Sequence, residues 1–68
     1  MLAIRDMLHT LSTEIESTEE LLLTARMHLG EITRNGCDGS DAQAVIAALE
    51  WKLIMLRHEA AALRRKMH

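Results

Sequence analysis

The chain has no proline, no phenylalanine and no tyrosine, and among its 68 residues tryptophan and cysteine occur once each and glycine three times. Each shortage excludes something. Without proline, the only cluster of helix-stopping residues is "RNGCDGSD", residues 34–41, which holds two of the three glycines close to the midpoint. An aromatic content of 1% beside 49% hydrophobic residues disfavours strands, and the wealth of Leu, Ala, Ile, Met, Glu and Arg favours helix. One cysteine closes no disulfide within the chain, and no repeated Cys/His spacing of a structural zinc site is present. There is no apolar run of the ~18 residues a membrane span requires. Arg5 and Asp6 interrupt the place where a signal peptide carries its apolar run. The expectation is a cytoplasmic protein with a reduced thiol. A net charge of -2 argues against general affinity for phosphate backbones.

Length sets the next bound. A chain of 68 residues is one domain, and domains of this size bury only about 60% of the surface their unfolded chain exposes. A single core then supplies roughly 3–5 kcal/mol. With no disulfide or metal to add to it, association is the expected supplement.

What the sequence does contain is periodicity. In the first half Met1, Ile4, Leu8, Leu11, Ile15, Thr18, Leu22, Ala25, Leu29 and Ile32 step by three and four without a slip, and Thr18 is the one polar member. In the second half Ala42, Ile46, Leu49, Leu53, Leu56, Ala60, Leu63 and Met67 do the same with no polar member. Each is a heptad stripe that seams one helix against another. The fold class predicted is all-α: an antiparallel two-helix hairpin, coiled-coil-like, completed by a partner or by dimerisation into a helical bundle.

Opposing residues in such a hairpin have numbers with a near-constant sum. Pairing outward from the turn sets Ile32 against Ala42, Leu29 against Ile46, Ala25 against Leu49, Leu22 against Leu53, Thr18 against Leu56, Ile15 against Ala60, Leu11 against Leu63 and Leu8 against Met67. Several layers place Ala opposite Leu or Ile, which fills a seam without overpacking. The same register brings Glu19 to Arg57 and Arg26 to Glu50, opposite charges in both cases. Exposed pairs contribute only about 0.2–1 kcal/mol each, so they serve chiefly to specify register.

The expected helices run over about 3–34 and 41–67, with a turn at 35–40. Gly36 ends the first in the left-handed conformation, Asn35 being tolerant of it, and Gly39 adds slack. Ser40 with Gln43 reads as a capping box opening the second helix, with Asp41 in its first turn. A break near Ser12–Thr13 is the competing reading of the first helix.

Chemistry is sparse. His9, His28, His58 and His68 include no pair at the i, i+4 spacing of helical metal ligands, and "DGSD" lacks the twelve-residue ligand spacing of a calcium loop. Cys37 has no histidine nearby in sequence to serve as its base. Arg64, Arg65 and Lys66 complement a helix C-terminus, although a basic cluster also suits RNA or anionic lipid. The sequence predicts no catalytic residue, no metal site and no cofactor.

Two helices sharing one seam are expected to be polar elsewhere, and this chain is not. Opposite the seam on the second helix lie Ala44, Ala47, Ala48, Trp51, Ile54, Met55, Ala61 and Ala62, interrupted by His58 and bounded by Glu50, Lys52, Arg57 and Glu59, while the first helix adds Leu21, Leu23 and Met27. Met7 and Val45 lie along the flank of Leu21, the salt bridges closing the other flank. Ala44, Ala47, Ala48, Trp51, Ile54, Met55, Ala62 and Leu21 are the candidate partner-binding residues, with Trp51 as the anchor.

The segment "LGEITRNG" leading through a Gly-containing midpoint turn into "DAQAVIAALEWKLIML" resembles the small helical-hairpin co-chaperones of type III secretion, the YscE, PscE, SsaE and EscE group. The resemblance covers the whole chain and rests on architecture; family turns often carry proline, which this turn lacks. It implies a cytoplasmic binding protein of bacterial virulence. A tetratricopeptide-like chaperone would dock around Ala44, Ala48, Trp51 and Met55, and together the two would keep the needle subunit unpolymerised. The competing expectation is a self-assembling four-helix bundle, similar in outline to the RNA-binding Rop protein, in which the same face pairs with itself.

Overall fold

The computed structural model describes residues 3–66, which form two helices, α1 (Ile4–Arg34) and α2 (Ser40–Lys66), folded into an antiparallel hairpin of 52 × 18 × 14 Å. The chain is all-α, as the stripes imply. Every described stripe residue turns inward. Thr18, Leu22, Leu53, Leu56 and Ala60 are buried at the centre, and the rest of both stripes is half-buried toward the ends, where the seam has fewer neighbours. Met1 and Met67, the outermost stripe positions, lie outside the described residues.

Register is fixed by the two predicted ion pairs. Arg26 Nη2 donates to Glu50 Oε2 at 3.1 Å and Arg57 Nη2 lies 3.7 Å from Glu19 Oε2. Thr18, the polar intruder in the stripe, is only 2% exposed. Its hydroxyl donates to the Glu14 carbonyl at 2.7 Å, so its burial leaves no polar atom unsatisfied.

The same bond explains why α1 does not break near Ser12–Thr13. Thr10, Thr13 and Thr33 hydroxyls likewise donate to the carbonyl four residues back. Each β-branched hydroxyl is absorbed by the helix it would otherwise oppose, and α1 runs through the predicted weak point unbroken.

At the turn, Gly36 adopts φ +77, the left-handed conformation that only glycine takes without strain. Its N–H bonds the Thr33 carbonyl and the Cys37 N–H bonds the Ile32 carbonyl, both at 3.1 Å. These are the two crossed bonds of a Schellman cap. Asn35 stays at φ -85.

Two details of the turn differ from the sequence reading. The α2 cap is not a Ser40–Gln43 box: Ser40 is already helical, the Gly39 carbonyl takes the Gln43 N–H at 2.9 Å, and Asp38 supplies the capping carboxylate. Asp38 Oδ1 accepts the Ser40 N–H at 3.0 Å, and Oδ2 accepts the Ser40 hydroxyl at 2.9 Å. Nor is Gly39 slack. It is buried, and a Cβ there would collide with Leu29 Cδ1 and press on Thr33 Cγ2 at 3.4 Å. The turn backbone itself closes the end of the seam.

Candidate protein-docking face

Helical periodicity decides where each remaining apolar residue goes. Trp51 sits two residues from both Leu49 and Leu53 of the seam, hence roughly opposite it on a helix of 3.6 residues per turn, and it points away from α1. Ala44, Ala47, Ala48, Ile54 and Met55 fall on the same half of α2 and are all exposed. Trp51 is 64% exposed, Ile54 57% and Met55 46%. Ala62, near the far end of this face, is half-buried.

Leu21 is exposed too, but on another surface. It precedes buried Leu22 by one position, about 100° around α1, so it lies on a flank of the hairpin and does not join Trp51. The eight predicted residues therefore divide into seven along the back of α2 and one on α1.

The flank bearing the ion pairs is not closed, contrary to the sequence reading. An open groove of about 430 Å³ runs there, with Leu22, Leu23, Leu53 and Ile54 as its apolar lining and Glu19, Arg26, Glu50 and Arg57 at its rims. Long charged side chains arch over a seam rather than filling it, and these four remain about half exposed. Leu23 follows Leu22 by one position, just as Ile54 follows Leu53, and that matched offset was the signal in the sequence that the two share a flank. On the opposite flank a smaller groove of about 210 Å³ is lined by Met7, Thr10, Leu11, Glu59 and Leu63.

The surface is larger than the mass requires. A compact monomer of 7.7 kDa is expected to expose about 4,300 Å², and this chain exposes 5371 Å². The surplus, roughly 1,000 Å², follows from the elongated 52 × 18 × 14 Å shape of a single hairpin, which leaves the outer half of each helix uncovered.

Other candidates gather no chemistry. Among the described residues no three His, Cys, Asp or Glu side chains are placed to hold a metal ion, and no helix is long and apolar enough to cross a membrane. Cys37 is exposed at the turn, and Arg64, Arg65 and Lys66 are exposed in the last turn of α2. Compared with known proteins, the chain matches no family model, no curated protein and no solved structure.

Proposed function

We propose that this chain is a non-catalytic protein-binding module that offers the back of α2 to a helix of another protein. The observation that carries the reading is the joint exposure of Trp51, Ile54 and Met55 on a helix whose opposite face is already buried against α1. An apolar cluster of that kind on a small protein marks a contact surface.

The resemblance to type III secretion co-chaperones gives the module a concrete role. It acts in the cytoplasm, where a tetratricopeptide-like chaperone docks on Ala44, Ala48, Trp51 and Met55, and the pair keeps the needle subunit from polymerising. The hairpin contributes a rigid apolar face at little ordering cost. Complex formation in turn stabilises a domain whose own core is small, by mass action.

Trp51 carries the largest share. Covering the exposed part of an indole removes on the order of 100–150 Å² of mostly apolar area, which corresponds to about 2–4 kcal/mol. Replacing Trp51 by Ala is expected to weaken the complex with a tetratricopeptide-like chaperone by roughly 10-fold or more, with the helical content of the free chain unchanged. Equal affinities for the two proteins in a calorimetric titration would sink the reading.

A further inference from the structure

The back of α2 has the same pattern read from either end. About a midpoint between Ile54 and Met55, Trp51 mirrors His58, and the pair Ala47–Ala48 mirrors Ala61–Ala62. The bordering charges follow a different rule: each border carries one negative and one positive charge seven positions apart, Glu50 with Arg57 on one and Lys52 with Glu59 on the other, so an antiparallel copy brings opposite charges together on both. A two-fold interface asks for self-complementarity, because each contact between residues i and j recurs as j and i, and this face sets small residues against its large one and opposite charges along each border.

We propose that this face is an isologous interface on which α2 packs antiparallel against α2 of a second copy, with the two α1 helices outermost. The proposal rests on the reading of this face as a docking surface and names the occupant in the isolated chain. Centring the two-fold between Ile54 and Met55 sets Ile54 against the partner's Met55 and Trp51 against the partner's His58. Helical side chains lean toward their own N-terminus, so the indole of Trp51 covers the turn bearing Ala47 and Ala48. That turn faces the partner's Ala61 and the partner's Ala62, and these small residues leave the room the indole needs.

Charge selects the same register. At the borders Lys52 approaches the partner's Glu59, while Glu50, already paired with Arg26, and Arg57, already paired with Glu19, extend their ion pairs toward the partner's Arg57 and the partner's Glu50. A slip of seven residues instead sets Glu50 against the partner's Glu50, or Arg57 against the partner's Arg57. A parallel pair stacks the two indoles on each other and leaves alanine facing alanine further along.

The single cysteine provides the test. Cys37 is exposed at the turn, 17 positions from Ile54, so spin labels on Cys37 of the full chain should give a dipolar distance of about 50 Å at 1.5 Å per residue. A short distance, as from a parallel pair, overturns the proposal, and so does a chain that sediments as a monomer with no dipolar signal. Lys52 makes no ion pair within the hairpin among the described residues. Lys52→Glu should therefore weaken self-association about 3- to 10-fold through two symmetry-related contacts, and adding Glu59→Lys should restore it. Failure of the second change to rescue the first overturns the register. A monomeric chain that still loses chaperone affinity on Trp51→Ala refutes the second copy alone; a dimer whose Trp51→Ala variant keeps that affinity refutes the chaperone reading alone.

Discussion

Arg26 and Glu50, separated by 24 positions in sequence, meet at 3.1 Å across the hairpin. Both remain about half exposed, so solvent screens the pair and its worth is small. A double-mutant cycle on Arg26→Ala and Glu50→Ala, read by chemical denaturation at fixed protein concentration, should give a coupling of about 0.2–1 kcal/mol that shrinks at high salt. A coupling above that range would mean that the pair, rather than the leucine layers beneath it, holds the helices together.

Two glycines should respond to alanine with opposite signs. Gly36, at φ +77 in the turn, should lose roughly 1–2 kcal/mol. Gly30 lies inside α1, where an added Cβ meets nothing within 4 Å, so alanine there should raise stability by about 0.5–1 kcal/mol. Thermal melts of the two variants beside the parent check both signs.

Asp38 accepts two hydrogen bonds from Ser40. Asp38→Ala should cost about 1 kcal/mol, in the range of a lost helix cap. Ser40→Ala should cost less, because its backbone N–H keeps its partner. The reverse order would restore Ser40 as the cap and could be read from the same denaturation curves.

Thr18 is buried opposite Leu56, and its hydroxyl serves only its own helix. Thr18→Val keeps the shape and leaves the Glu14 carbonyl its helical partner, so stability should stay within about 0.5 kcal/mol of the parent or rise. Thr18→Ala opens a small void and should cost about 1 kcal/mol.

Much of this fold was legible because a hairpin repeats one instruction many times. Ten stripe positions in one half and eight in the other keep phase, so no single residue decides the outcome, and the charges at Glu19, Arg26, Glu50 and Arg57 repeat the register independently. The exposed face was legible for the same reason, since Trp51, Ile54 and Met55 are apolar where the period demands polar residues. What periodicity does not carry is the closing geometry of the turn. Whether Asp38 or Ser40 caps α2 depends on a one-residue difference in where the helix starts, and the close approach of Gly39 to Leu29 depends on how the chain re-enters the seam. The groove beside Leu23 and Ile54 was hidden for a different reason: pairing charges by register says that they meet, not that they fill the space between them.

If the back of α2 is covered when the protein works, Trp51, the only tryptophan, reports it directly. In the single hairpin its indole is 64% exposed, so in dilute solution it should emit and be quenched by iodide as a solvated side chain. On concentrating the chain, or on saturating it with a tetratricopeptide-like chaperone, the emission should shift to the blue and the quenching constant should fall. A fully formed complex of either kind that leaves both the emission and the quenching of Trp51 unchanged would mean that the back of α2 stays uncovered.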